Sequence, residues 1–206
     1  MDNPFITERI VDPGRRLARE VAAIHKECIS KGFLSTLPMA FLTCLYQYIA
    51  RHHILITVCK KEDSKVAGYI SATTFSKGLL SDFLKRCFIR ASIALAPAMF
   101  RAGFFSNIRQ TAKAAGDDDI APGMPELLSV AVVEGYRSTG AAASLLSLLE
   151  QELLNAGINQ YKVVAGKKLH AANRFYLKNG FIAEGEKVIH DNEISVVYTK
   201  RLSDGA

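Results

Sequence analysis

Apolar positions along the chain recur at two periods, which separate helices from strands. Steps of three and four residues predict helices with an apolar face, while apolar runs rich in β-branched residues predict buried strands. The predicted helices cover residues 12–28, 38–52, 139–155 and 169–178. The predicted strands cover residues 5–11, 54–59, 66–75, 126–133, 161–165, the stretch from 181 onward, and 193–200. A short polar turn joins the second and third strands, so these two are expected to form an antiparallel hairpin.

Helix boundaries are marked by residues with strong positional preferences. Asp12 is expected to cap the first helix, with Pro13 in its first turn, because aspartate favours the cap position and proline the first helical position. Gly157 and Gly180 are expected to end the third and fourth helices, since glycine adopts the left-handed conformation that commonly follows a helix.

A segment at residues 76–123 separates the third and fourth strands and is predicted to be a basic helical insert. Its apolar residues recur at helical spacing, with basic residues away from them. That apolar face comprises Leu80, Phe83, Leu84, Cys87, Phe88, Ala91 and Leu95. Between residues 76 and 116 seven residues are basic and only Asp82 is acidic, so this stretch accounts for the net charge of +6. Because charge is balanced elsewhere, we expect no nucleic-acid surface.

Composition bounds the class of protein. The 206 residues, 49% of them apolar, predict one globular domain over 1–206 and exclude general disorder. The four cysteines form no CxxC pair and have no histidine at metal spacing, which predicts reduced thiols and no metal site.

Two further features bear on location. The first 20 residues are charged throughout and show no secretory signal, so a cytoplasmic protein is expected. Residues 32–50 carry no charge, but Pro38 interrupts them, and a buried helix explains them better than a membrane span.

The stretch from Leu127 to Ala142 is the first candidate ligand-binding segment, because its residue pattern predicts a strand, a tight loop and the start of a helix. The first turn of a helix leaves backbone N–H groups without partners, and the helix dipole places partial positive charge there. Gly140 permits close approach to the backbone, and Arg137 adds a full charge. The pattern suits a pyrophosphate. It lacks the GK[ST] of a P-loop and the later glycines of a Rossmann fingerprint.

A second segment, Ala172-x-x-Phe175-Tyr176-x-x-x-Gly180-Phe181, follows one helix and one strand later. Together the two segments resemble the GNAT superfamily of N-acetyltransferases. Arg137-x-x-Gly140-x-Ala142 resembles its R/Q-x-x-G-x-G/A signature for acetyl-CoA, and the second segment resembles the A-x-x-x-Y-x-x-x-G-F block that follows it.

The resemblance implies an α/β (α+β) fold: three αβα layers around a mixed, mostly antiparallel sheet that splays at its centre, with acetyl-CoA in the split. It implies that the backbone of the fourth strand holds the pantetheine arm and that the following loop holds the pyrophosphate. The cofactor-binding residues so implied are Val130, Ala131, Val132, Arg137, Ser138, Thr139, Gly140, Ala141, Ala142 and Ala143.

The resemblance also implies catalytic roles for two side chains. Tyr176 matches the tyrosine that protonates the departing thiolate, and nearby positive charge would make it more acidic. Glu126, 11 residues before Arg137, matches the strand glutamate that acts as general base in some members. The family often has an asparagine seven residues before the tyrosine; here Leu169 stands there, and Asn173 is the nearby candidate for this cofactor contact. His170, His190 or water are alternative bases.

The resemblance thus implies an acetyl-CoA-dependent N-acetyltransferase in which a primary amine attacks the thioester directly in a ternary complex. We expect a small-molecule acceptor such as an amino sugar. A protein or peptide acceptor, and a CoA-binding module without turnover, are the alternatives. The insert is expected to recognise an anionic or lipid-linked acceptor, such as a nucleotide- or phosphate-linked amino sugar. A solvated flap, a peripheral membrane contact and a homodimer contact are its other interpretations.

Overall fold

The computed structural model describes residues 5–29, 33–60, 65–74, 79–87, 120–188 and 193–202. The helices and strands follow one another along these residues in the order expected, with one additional short helix at 33–36. The elements are β1 (Phe5–Arg9), α1 (Arg15–Cys28), α2 (Phe33–Thr36), α3 (Met39–His52), β2 (Ile54–Lys60), β3 (Val66–Thr73), α4 (Leu79–Arg86), β4 (Glu126–Val132), a 3-10 turn (Glu134–Tyr136), α5 (Ala141–Asn155), β5 (Gln160–Gly166), α6 (His170–Lys178), β6 (Ile182–Val188) and β7 (Ile194–Arg201).

The strands form one seven-stranded sheet in the order β1-β2-β3-β4-β5-β7-β6. Every neighbouring pair is antiparallel except β4 and β5, which are parallel. The hairpin expected between the second and third strands is present as β2 and β3. The prediction of a mixed, mostly antiparallel sheet is therefore confirmed.

The sheet opens between its two central strands. The structure pairs β4 with β5 at two positions only, Glu126 with Lys162 and Leu127 with Val163. On its other side β5 pairs with β7 along its whole length. Parallel strands that pair only through their first residues diverge toward their carboxyl ends. The central splay therefore lies after Leu127.

Apolar side chains alternate between the two faces of the sheet and build two cores. On the first face α1 and α3 pack against residues such as Leu55 and Tyr69. On the second face α5 packs against residues such as Ile56 and Ile70, and Tyr176 of α6 joins the same core. Helices therefore cover both faces, in the three-layer arrangement that was expected.

Two helix starts differ from the sequence-based expectation. Asp12 was expected to cap α1, but the helix begins at Arg15 after Gly14, with no side-chain cap. Asp12 instead pairs with Arg51 at the end of α3, its Oδ1 2.7 Å from the Arg51 Nε. The third long helix was expected from residue 139, but α5 begins at Ala141 because Gly140 has φ +95°.

The described part of the insert begins with α4, as the apolar spacing predicted. Phe83 is fully buried, with its ring centroid 5.3 Å from that of Phe41 and 5.4 Å from that of Tyr48. Lys85 and Arg86 are exposed on its other side. The continuation that was predicted over residues 88–119 lies outside the described residues. Within the described chain, no helix has the length and apolar character needed to cross a membrane.

Candidate functional site

The divergence of β4 from β5 leaves one edge of β4 available to a ligand. Val130 and Ala131 pair with Ile70 and Tyr69 of β3 on the other edge. Past Leu127, the described residues show no pairing of β4 with β5. An extended polar chain can bind such an edge as an additional strand would, through main-chain hydrogen bonds. Val130, Ala131 and Val132, predicted to hold a pantetheine arm, all lie on this stretch.

The loop after β4 is folded tightly against the end of that strand. Arg137 Nε donates to the carbonyl oxygen of Val132 at 3.1 Å, and Thr139 Oγ1 donates to that of Tyr136 at 2.6 Å. Ser138 has φ +62° and Gly140 has φ +95°. Two left-handed residues in so short a stretch turn the chain sharply into α5.

This loop opens into free space at Gly140. A side-chain carbon built there would meet no described atom within 4 Å. Backbone N–H groups of the first turn, at Ala141, Ala142 and Ala143, have no partners within the helix. With the helix dipole and the Arg137 guanidinium, these N–H groups form an electropositive surface suited to phosphate oxygens. The structure thus brings the predicted pyrophosphate residues together at the open end of the split.

Tyr176 lies within the second core beside the split. It is 5% exposed, and its ring centroid is 5.3 Å from that of Phe181 and 5.8 Å from that of Tyr198. Burial, followed by the neighbouring Tyr198, raises the pKa of Tyr176. The expectation that positive charge would make this phenol more acidic is therefore wrong for the surroundings described. Tyr176 stays protonated at neutral pH and can donate a hydrogen bond.

Asn173 closes the turn between β5 and α6. Its Nδ2 donates to the carbonyl oxygens of Gly166 at 3.2 Å and Lys167 at 3.0 Å, and its Oδ1 accepts a hydrogen bond from Tyr198 at 3.2 Å. The side-chain amide is therefore engaged with the protein itself. Leu169, which stands at the family's asparagine position, is 46% exposed. Asn173 as a cofactor contact remains a prediction.

Glu126 lies at the opposite end of β4 from the loop. It is half-buried, and its register partners are Thr73 on β3 and Lys162 on β5. Lys162 is 1% exposed, and its Nζ donates to the carbonyl oxygen of Ala121 at 3.0 Å. Glu126 thus lies at the closed end of the split, one residue before Leu127, the last position at which the two central strands pair.

A β-bulge lies just beyond Glu126. Ser71 pairs with Ser129 while Ala72 pairs with Leu127, so β4 advances by two residues where β3 advances by one. The extra residue, Leu128, puts Ser129 on the same face of the sheet as Glu126. Without the bulge, residues three apart on a strand would point to opposite faces.

The histidines considered as alternative bases divide into two cases. His170 is exposed as the first residue of α6, and His190 lies outside the described residues. A third histidine, His25, is buried between α1 and the sheet, which helical spacing alone did not distinguish from an ordinary core position. No group of three or more metal-binding side chains occurs among the described residues.

The chain is similar to known acetyltransferases in sequence pattern and in fold. The model of the family described as acetyltransferase (GNAT) matches residues 18–181. No curated protein sequence matches the chain. Among solved structures, Ard1 from Thermoplasma volcanium is 11% identical with a TM-score of 0.62, covering 98% of this chain and 99% of that one. A GNAT-family acetyltransferase from Desulfovibrio desulfuricans is 15% identical with a TM-score of 0.61, covering 97% and 99%.

A further similar structure is the ribosomal-protein-S18-alanine N-acetyltransferase from Escherichia coli. It is 10% identical with a TM-score of 0.58, covering 98% of this chain and 97% of that one. At these identities the structural matches establish a shared fold and leave the acceptor open.

Proposed function

The chain belongs to the GNAT family of acetyltransferases and is an acetyl-CoA-dependent N-acetyltransferase; on that premise we propose that its acceptor is the primary amine of a small molecule such as an amino sugar. The observation that carries the proposal of a site is the split after Leu127, with an open strand edge on one side and an electropositive loop at its end.

For the donor, the proposed site runs along β4 from its bulge to its carboxyl end. The backbone of Val130–Val132 would hold the pantetheine arm, and the N–H groups from Ser138 to Ala143 would hold the pyrophosphate. These residues fit an extended ligand with a doubly charged pyrophosphate, because this edge of β4 has no strand partner past Leu127 among the described residues and a side-chain carbon at Gly140 would meet no described atom within 4 Å. The thioester supplies the acetyl group to an amine that attacks it directly.

For the reaction, the proposal assigns a proton acceptor and a proton donor. The amine must lose a proton before or during attack, and Glu126 at the closed end of the split would accept it, directly or through water. Tyr176 would donate a hydrogen bond to the sulfur as the carbon–sulfur bond breaks. Because burial raises the pKa of Tyr176, complete proton transfer to a free thiolate would be uphill, and stabilisation of the developing charge is the larger effect expected.

Two measurements test this function, one of donor binding and one of acceptor turnover. Isothermal titration with acetyl-CoA is expected to show binding, with no binding at millimolar concentration as the refuting result. A panel of amino sugars, aminoglycosides, polyamines and peptide N-termini, followed by release of free thiol, then identifies the acceptor class. Turnover confined to peptide N-termini would replace the small-molecule proposal with a protein acceptor.

We also propose that the insert recognises an anionic acceptor. Its described helix, α4, is anchored by the buried Phe83 and presents Lys85 and Arg86 to solvent, with Arg86 Nε 2.7 Å from Asp82 Oδ2. Charged groups at the mouth of a site raise the local concentration of an oppositely charged substrate.

A double reversal, Arg86→Glu with Arg90→Glu, is expected to raise the acceptor KM and to leave acetyl-CoA affinity unchanged. The effect should shrink as salt is added, because exposed charges are screened. Loss of acetyl-CoA binding would instead assign the segment to the CoA phosphates. Loss of liposome co-sedimentation with unchanged kinetics would make it a membrane contact.

A further inference from the structure

A set of hydrogen bonds holds the helix that carries Tyr176. Asn173 lies three residues before Tyr176 on α6, so both side chains lie on the same side of that helix. Asn173 Nδ2 donates to the carbonyl oxygens of Gly166 at 3.2 Å and Lys167 at 3.0 Å, and Asn173 Oδ1 accepts a hydrogen bond from Tyr198 at 3.2 Å. The amide therefore ties the first turn of α6 to the end of β5 and to β7. These three hydrogen bonds are named here the Asn173 clamp.

The neighbours of Asn173 determine which way its side-chain amide points. An amide nitrogen has two protons to donate, and two carbonyl oxygens, which can only accept, lie within hydrogen-bond distance of it. The reversed amide would place its own oxygen against those carbonyl oxygens. Because the amide oxygen can only accept, Tyr198 is the donor of the hydrogen bond that the two side chains share. The proton of the Tyr198 phenol is therefore engaged in the clamp.

Tyr176 and Tyr198 are neighbouring phenols whose protons differ in this respect. Their ring centroids are 5.8 Å apart, and both side chains are buried. Burial, followed by the neighbouring Tyr198, raises the pKa of Tyr176, which keeps its proton at neutral pH. The structure shows no hydrogen bond from the Tyr176 hydroxyl to any described residue. Of the two phenols, Tyr176 is therefore the one whose proton can be donated to a ligand without breaking the clamp.

The position of the Tyr176 ring depends on the same contacts. The ring packs against Tyr198 on β7 and against Phe181, whose centroid lies 5.3 Å away. The backbone N–H of Phe181 donates to the carbonyl oxygen of Tyr176 at 3.1 Å, which fixes the far end of α6 as the clamp fixes its beginning. Because β5 borders the split, a shift of α6 relative to β5 would move the Tyr176 hydroxyl relative to a ligand bound there.

We propose that Asn173 and Tyr198 are positioning residues for Tyr176: the Asn173 clamp sets where α6 lies on β5 and β7, and so where the Tyr176 hydroxyl meets the sulfur of the donor. The inference rests on the proposed function, since it takes Tyr176 as the hydrogen-bond donor to that sulfur. It gives Asn173 a role within the protein, in place of the predicted contact with the cofactor.

Hydrogen exchange of the α6 amides tests the clamp without any acceptor. Asn173→Ala removes all three hydrogen bonds, and Tyr198→Phe removes one of them while keeping the ring. Both variants are expected to speed exchange of the α6 amides, by about tenfold or more in Asn173→Ala, because local opening of the helix then breaks fewer bonds. Unchanged exchange of α6 in both variants would overturn the inference.

Kinetics with acetyl-CoA as donor and D-glucosamine as the acceptor probe test the effect on Tyr176. Tyr198→Phe is expected to lower kcat about tenfold and to leave the dissociation constant for acetyl-CoA within twofold, because a misplaced hydroxyl affects cleavage of the carbon–sulfur bond more than binding. Combined with Tyr176→Phe, it should be no slower than Tyr176→Phe alone, since Tyr198 acts through that hydroxyl. Asn173→Ala should behave in the same way.

Tyr161→Phe is the matched control. Tyr161 is also fully buried, and its ring centroid lies 5.3 Å from that of Phe181. The change removes one hydrogen bond, the 2.7 Å donation to Glu150 Oε1, as Tyr198→Phe does. Because Glu150 belongs to α5, the melting temperature of this variant should fall as that of Tyr198→Phe does, while the exchange of α6 and kcat stay unchanged.

Two kinetic results would also overturn the inference. One is an Asn173→Ala enzyme whose dissociation constant for acetyl-CoA rises tenfold while kcat is unchanged, which would make Asn173 a cofactor contact. The other is a double variant whose losses multiply, which would show that Tyr198 does not act through Tyr176. A wild-type enzyme that does not turn over D-glucosamine would count against the proposed acceptor, whereas the exchange of α6 and the affinity for acetyl-CoA would still decide the role of the clamp.

Discussion

Replacing Gly140 with alanine is predicted to affect both the stability of the fold and the affinity for acetyl-CoA, and the two effects can be measured separately. Gly140 has φ +95°, and a side-chain carbon placed there would meet no described atom within 4 Å outside its own and the adjacent residues. Gly140→Ala therefore creates no clash and adds only the strain of a left-handed alanine, about 1 kcal/mol. For a domain of this size that corresponds to a fall in melting temperature of about 3 °C.

The same methyl group lies on the surface that phosphate oxygens would approach. Holding them one methyl radius farther away would break about one charge-assisted hydrogen bond from the first turn of α5, and such a bond contributes about 1.5–3 kcal/mol. The dissociation constant for acetyl-CoA should then rise about 10- to 100-fold. Isothermal titration of the wild type and the variant measures this directly.

Gly157 supplies a control at the other end of the same helix. Its φ is +74°, and among the described residues beyond its own neighbours no atom lies within 4 Å of a built side-chain carbon. Gly157→Ala should therefore lower the melting temperature by a similar amount and leave acetyl-CoA affinity unchanged. Equal dissociation constants for the two variants would refute the assignment of the loop as the phosphate site.

Three further outcomes are expected. Tyr176→Phe keeps the buried ring but removes the hydroxyl, so kcat should fall about 10- to 100-fold while acetyl-CoA affinity stays within about twofold; an unchanged kcat would remove Tyr176 from the chemistry. Glu126→Gln should flatten the acidic limb of the pH–rate profile, and a profile like that of the wild type would exclude Glu126 as the base. Burial, with a smaller effect of Lys26, lowers the pKa of His25 to about 4, so below about 6.5 the unfolded chain takes up a proton that the folded protein does not. Stability should therefore fall between pH 7 and pH 5 by about 2 kcal/mol in chemical denaturation, with a smaller fall in His25→Gln, and equal falls would contradict the cause.

Several features of the fold follow from local pattern, and these were predictable. Apolar residues at every third or fourth position predict the helices α1 and α3. Mainly apolar runs on either side of a polar turn predict the strands β2 and β3. The loop and helix after β4 were also expected from this segment, although the helix begins at Ala141, two residues later than predicted. The family resemblance, from which the splayed sheet was expected, also depended on particular residue types at short spacings.

Helix starts show where local preference was overridden. Asp12 has the chemistry of a cap, yet it lies outside α1 and pairs with Arg51, 39 residues away in sequence. A capping preference is worth about 1 kcal/mol, and a tertiary contact of similar strength can replace it. A prediction from neighbouring residues has no access to that competing partner.

Most helices and strands, and the residues that form the acetyl-CoA pattern, were predictable because they depend on residue types at short spacings along the chain. Which side chains meet depends instead on the packing of distant elements. The tertiary structure joined His25, Tyr46 and Tyr69 from three separate elements, and it used one bulge residue, Leu128, to bring Ser129 onto the face of Glu126. Such contacts arise from how strands register and how helices pack on them, and a one-residue shift in register reverses the face on which a side chain lies.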